Sequence, residues 1–303
     1  MRRLLVCALL AAVAGCGGHG DDGGDVFGYD ARAPLDVRVR SSRDVGDVSV
    51  REITYASPKG GRVPAIVIAP VAKGPFAGLI LQHGLPGRGA DMAAAGEDFA
   101  RLGAVVVLID APFDRRPGEP IRFDERDRTE QIQLIVDLRR AVDLLRARDD
   151  VDPDRIGYLG VSYGGAMGGL LAGVEHRIGA FVLRVGDGGL VEHFGSRDDS
   201  GGSLPPMSPA RRKRWLAAMR PIEPLRWVRE ATAPLLFQSG RQDDVVPPPD
   251  ARRYQAAAPE PKEVRWYDSG HFLPPEADCD AAAWLAREIG TSRQHEACAT
   301  SSG

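Results

Sequence analysis

The stretch Asp154-Arg155-Ile156-Gly157-Tyr158-Leu159-Gly160-Val161-Ser162-Tyr163-Gly164-Gly165-Ala166-Met167-Gly168-Gly169 changes character at one residue, Ser162. Before it, residues 156–161 form a short, mostly apolar run that predicts a strand. After it, residues 165–174 are small and apolar and predict a closely packed helix. A strand that turns sharply into a helix at a serine, with a glycine two residues away on either side, has the pattern of a nucleophile elbow. The glycines follow from sterics. Ser162 must take a positive φ, and side chains at Gly160 and Gly164 would collide with the neighbouring strand and helix. In a chain with 36 glycines the pattern alone carries little weight, so its surroundings decide.

The surroundings alternate. Residues 77–84 read as a buried strand meeting a loop, 90–102 as a helix, and 104–110 as a continuous apolar strand covered on both faces. Between residues 129 and 148 the apolar side chains Ile132, Ile135, Leu138, Val142 and Leu145 recur at helical spacing. The turn at 152–155 returns the chain to the elbow strand. Further strands are predicted at 179–185, 234–239 and 264–267, with a last helix near 281–289. This rhythm predicts an α/β fold with a mostly parallel, twisted sheet between helices. Upstream, residues 47–56 and 62–70 flank the turn 57–61 and predict an antiparallel hairpin. Residues 187–224 break the rhythm with Gly-, Pro- and Ser-rich turns around a helical piece near 210–219. A loop this long inside a domain predicts a short lid. Within it, Trp215, Leu216 and Met219 either face a substrate or pack the lid onto the domain.

A serine hydroxyl needs a base to take its proton, and the base needs a carboxylate to fix its tautomer. Of six histidines, His271 is the candidate base. It lies in Tyr267-Asp268-Ser269-Gly270-His271-Phe272, just past the last strand, on a loop at the carboxyl edge of the sheet. The candidate acid is Asp243, just past the strand at 234–239, with its neighbour Asp244 and the earlier Asp187 as rivals; the alternative role for one of the pair 243–244 is to cap the helix near residue 248. Two backbone N–H groups must meet the negative charge that develops on a carbonyl oxygen. Tyr163 follows the nucleophile and supplies one. Leu85, in His83-Gly84-Leu85-Pro86, supplies the other.

These four segments together, the elbow, the His-Gly-x-Pro loop, Gly240-Arg241-Gln242-Asp243-Asp244-Val245-Val246-Pro247 and Gly270-His271-Phe272, resemble the α/β-hydrolase superfamily over residues 47–290. The resemblance is to its dienelactone-hydrolase-like and prolyl-oligopeptidase-like branches. It implies an α/β-hydrolase fold with helices on both faces of the sheet, and a Ser162–His271–Asp243 triad that works without metal or organic cofactor. The serine replaces the cysteine nucleophile of dienelactone hydrolase, and the 303 residues show no large propeller. The function expected is therefore cleavage of small-molecule carboxylic esters through an acyl-enzyme. The alternatives are a peptidase or amidase using the same triad, and a non-catalytic envelope lipoprotein.

At the N-terminus, Arg2 and Arg3 precede an apolar run, 4–14, too short for a stable membrane span. It ends in Val13-Ala14-Gly15-Cys16, which resembles the lipobox of a bacterial lipoprotein signal. Residues 1–15 are then a signal peptide, Cys16 carries lipid, and 16–46 are a tether and extension that hold the protein at the bacterial cell envelope. An ordinary secretory signal is the other reading. Of the remaining cysteines, Cys279 and the tail residue Cys298 (tail 291–303) are either a disulfide pair or free thiols. A formal net charge of −3 argues against nucleic acid as a partner.

Overall fold

The computed structural model describes residues 25–196, 207–292 and 298. The chain begins with three antiparallel strands, β1 (Arg38–Val45), β2 (Val48–Ala56) and β3 (Arg62–Pro70). Strands and helices then alternate: β4 (Phe76–Gln82), α1 (Ala93–Arg101), β5 (Ala104–Ile109), α2 (Glu125–Arg146), β6 (Val151–Val161), α3 (Tyr163–Ala172) and β7 (Ala180–Arg184). An excursion holds α4 (Leu190–Ser196), α5 (Pro209–Met219) and α6 (Pro224–Trp227). The chain returns through β8 (Leu235–Gly240), α7 (Pro248–Ala257), β9 (Lys262–Tyr267) and α8 (Glu276–Ile289).

The nine strands of the described residues join one sheet in the order β1-β2-β3-β5-β4-β6-β7-β8-β9, parallel from β5 through β9. This is the α/β-hydrolase fold. β5 shows why the sheet is covered twice. Its six residues are all buried. Val105, Val107 and Ile109 belong to the core cluster that holds residues of α2 and α3, whereas Val106 and Leu108 belong to the one that holds residues of α1 and α8. Side chains alternate between faces along a strand, so an unbroken apolar run serves a helix layer on each side. The parallel strands all end at one edge of the sheet, where the loops carrying Ser162, Asp243 and His271 lie side by side.

The extension within 16–46 is structured from residue 25 on: β1 adds an edge strand to β2, and Phe27 is fully buried, edge-on to Trp227 at 5.3 Å. β1 reads Arg-Val-Arg-Ser-Ser-Arg-Asp-Val and is exposed along nearly its whole length, so no hydrophobic alternation marks it. The start of α2 comes earlier than predicted. Its first turn is charged and is capped by Asp124, whose side chain accepts the Arg126 N–H at 2.9 Å.

The excursion at 187–224 packs onto the body through Trp215 and Met219, both buried. Trp215 donates Nε1–H to Asp127 Oδ2 at 2.7 Å and stands edge-on to Phe123 at 5.1 Å. Both side chains are therefore packing groups.

Candidate active site

Ser162 ends β6 with φ 55° and ψ −114°, a strained conformation for a side-chain-bearing residue. The strain is held by its neighbours. Ser162 donates its N–H to Arg184 O at 2.9 Å and accepts the Ala166 N–H at 2.9 Å. A Cβ at Gly160 would strike the Gly164 backbone, and one at Gly164 the Gln82 backbone, each well inside 3.0 Å. The two glycines thus let α3 start directly against β4 and β6. Buried Tyr158 closes the turn by donating its hydroxyl to Gly164 O at 2.7 Å.

The loops after β8 and β9 bring the other two side chains to the same place. His271 Nε2 lies 3.0 Å from Ser162 Oγ, and His271 Nδ1 lies 2.9 Å from Asp243 Oδ2 and 3.1 Å from Oδ1. Asp243 Oδ1 also accepts the N–H groups of Val245 (2.9 Å) and Val246 (2.8 Å). An ionised carboxylate only accepts, so Nδ1 carries its proton toward Asp243 and Nε2 is left to accept from the Ser162 hydroxyl. The structure separates the rival acids. Asp244 is exposed, and Asp187 faces His193 Nδ1 at 3.3 Å instead of His271. Neither aspartate caps α7, whose N-cap is Pro247.

Leu85 and Tyr163 line the cavity that Ser162 faces, about 260 Å³ in volume and mostly apolar. Tyr163 is the first residue of α3, where an N–H has no intrahelical partner. Among the described residues no hydrogen bond takes the Leu85 N–H. His83, to which no role fell from sequence, supports this loop. Its Nε2 accepts the Ala111 N–H at 3.1 Å, so its Nδ1 is the protonated nitrogen and donates to Gly84 O at 2.7 Å. Burial pushes its pKa below the ordinary value and keeps the ring neutral. The His-Gly pair was the available signal. Its partner, Ala111, lies past the end of β5, 28 residues on, and only the fold brings the two together.

Cys279 and Cys298 form a disulfide with Cα atoms 5.6 Å apart. Cys16 and the signal segment 1–15 lie outside the described residues; among the described residues no helix is long and apolar enough to cross a membrane.

Residues 98–268, more than half of the chain, match the prolyl oligopeptidase family. The chain belongs to that family. The matched span contains Ser162 and Asp243 and ends just before His271. This family member is 34% identical over 162 residues to an uncharacterized protein of Mycobacterium tuberculosis, covering 53% of this chain and 50% of that one. It is 29% identical over 193 residues to a probable 2-oxo-3-(5-oxofuran-2-ylidene)propanoate lactonase of Bradyrhizobium sp., covering 60% of each. The chain thus spans about half the length of the first of these curated relatives and 60% of the second. An acetyl xylan esterase from Paenibacillus sp. R4 superposes with a TM-score of 0.69 at 19% identity, over 87% of this chain and 91% of that one. A prolyl endopeptidase superposes with a TM-score of 0.63 at 20% identity, over 82% of this chain and 40% of that one. These two likenesses bear on the fold.

Proposed function

We propose that the chain is a serine hydrolase that cleaves carboxylic esters of small molecules through an acyl-enzyme. The observation that carries this reading is the unbroken relay from Ser162 Oγ through His271 to Asp243, with links of 3.0 and 2.9 Å. Ser162 Oγ attacks the ester carbonyl as His271 Nε2 takes its proton. Asp243 holds the ring in the required tautomer and stabilises the imidazolium. The Leu85 and Tyr163 N–H groups receive the oxyanion. His271 then returns the proton to the leaving alkoxide. A water molecule, deprotonated by the same ring, releases the acid and restores the serine.

Two observations favour an ester. The cavity beside Ser162 is small and bounded by Leu190 and Phe194 of α4, which suits a short acyl group better than a polypeptide. The Bradyrhizobium relative is a probable lactonase, and a lactone is an internal ester. Family membership favours a second reading, a peptidase or amidase with the same triad. At the other end of the chain, the lipobox-like Val13-Ala14-Gly15-Cys16 supports anchoring at the cell envelope.

Labelling by a fluorophosphonate probe, together with turnover of p-nitrophenyl acetate against a matched p-nitroanilide, tests the chemistry. Both labelling and turnover are expected in the native chain and absent in Ser162→Ala. A native chain that neither labels nor turns over would leave only a scaffold role. Faster anilide than ester cleavage would favour the peptidase. Palmitate incorporation that survives Cys16→Ser would remove the anchor.

A further inference from the structure

In the wall of the cavity that Ser162 faces, where Asp187 and His193 line it, lies a second cluster that the triad does not use. Asp187 follows β7, His193 sits on α4, and Asp250 lies in the first turn of α7. One donor atom from each falls within 4.8 Å of the others, the one such cluster of His, Cys, Asp and Glu among the described residues. His193 Nδ1 is 3.3 Å from Asp187 Oδ2 and 4.0 Å from Asp250 Oδ2.

Asp187 is the informative member. It is only 6% exposed. Its Oδ1 accepts the Gly189 N–H at 2.8 Å; its Oδ2 is sealed from solvent, has no hydrogen-bond partner among the described residues, and is aimed into the cluster, 3.3 Å from His193 Nδ1. Buried carboxylates are ordinarily satisfied by hydrogen bonds, by a counter-charge or by a metal. Among the described residues, Asp187 and Arg253 both act on the charge of buried Glu223, and the Arg253 guanidinium lies 3.4 Å from the other Asp250 oxygen. Burial, and beyond it the charges of Glu192 and Asp187, hold the Glu223 carboxyl above its usual range.

We propose that Asp187, His193 and Asp250 form a binding site for a divalent transition-metal ion, zinc foremost, which fastens α4 to the body of the domain at the cavity wall. The donor set selects the ion: an imidazole beside two carboxylates suits zinc, whereas calcium and magnesium prefer oxygen alone. The spacing fits as well. Zinc–ligand bonds of about 2.0–2.1 Å in a tetrahedron put donors roughly 3.3–3.4 Å apart. Of the three separations, His193–Asp187 at 3.3 Å already has this value, His193–Asp250 at 4.0 Å needs a shift of well under 1 Å, and all three lie within 4.8 Å, so closing on an ion draws the donors inward. Three protein ligands leave a fourth position for water. Because the ligands come from three elements, the ion would tie together parts of the chain far apart in sequence.

The test is a titration of the full chain, stripped with a chelator, with Zn²⁺ against a chromophoric competitor and by calorimetry. One equivalent is expected to bind with a Kd of about a micromolar or tighter, and the melting temperature to rise by on the order of 5 °C at saturating metal. Co²⁺ in its place should give visible d–d bands of a tetrahedral site. His193→Ala and Asp250→Asn, both at partly exposed positions, should each weaken binding by roughly tenfold or more. Ser162→Ala should bind as the native chain does, which separates this site from the hydrolase reading. No saturable binding by about 100 μM Zn²⁺, or unchanged affinity in His193→Ala and Asp250→Asn, would overturn the proposal.

Discussion

Replacing Asp243 by Asn tests the relay at the point where the local geometry is most constraining. Oδ1 of Asp243 is committed to two backbone N–H groups, those of Val245 and Val246, at 2.9 and 2.8 Å. An asparagine keeps those two bonds only with its oxygen in the same place, which turns its NH₂ toward His271 Nδ1. Two donors then face each other across about 2.9 Å, so Nδ1 must give up its proton and Nε2 must carry it. A protonated Nε2 cannot accept from Ser162. A wrong imidazole tautomer of this kind lowers kcat in serine proteases by about 10⁴, which corresponds to roughly 5.4 kcal/mol in the barrier. Stability should change by no more than about 1 kcal/mol, because the turn bonds survive. The assay is steady-state hydrolysis of p-nitrophenyl acetate and the rate of fluorophosphonate labelling, alongside urea unfolding. Asp244→Asn, at the exposed neighbour, serves as control and should stay within about threefold of native. If folded Asp243→Asn retained activity within tenfold of native, the assignment of Asp243 as the orienting acid would be wrong.

Four further outcomes follow from the same contacts. His83→Ala frees the Gly84 carbonyl and should lower kcat by about 10² with little change in KM, as loss of an oriented oxyanion donor does. Tyr158→Phe removes the hydroxyl bond to buried Gly164 O, which keeps its place in the α3 ladder, and should cost about 0.5–1.5 kcal/mol in urea unfolding. Reducing the Cys279–Cys298 bridge, which spans a sequence separation of 19, should cost about 3 kcal/mol by the loop-entropy relation, read as a lower urea midpoint. Burial alone would raise the Glu175 carboxyl, but pairing with Arg177 at 2.7 Å prevails and lowers it below 4.5. A lowered carboxyl stabilises the fold above its unfolded pKa, so Glu175→Gln should lose stability at pH 7. That loss should vanish as pH falls through the native value, which unfolding curves from pH 7 to 3 would show.

Much of the domain was legible because its elements obey local rules. Apolar runs buried on both faces mark β4 to β8, and the glycines at 160 and 164 mark the elbow whatever lies around them. Elements that obey no such rule were invisible. β1 is a polar edge strand whose hydrogen bonds to β2 are made by backbone alone. The start of α2 is charged on all sides. Among candidate acids the sequence left three, since any aspartate past a strand end fits the pattern.

The sequence by itself singled out the elbow serine, Ser162, the loop histidine, His271, and the fold class, because these depend on neighbours within a few residues. Only the tertiary structure decided that Asp243 and not Asp187 faces the base, that His83 braces the oxyanion loop across 28 residues, and that Asp187 turns instead toward His193. Each of those facts is a distance between side chains on different strands or helices. Such distances are set by sheet order and register, through backbone bonds that do not depend on which side chains the strands carry.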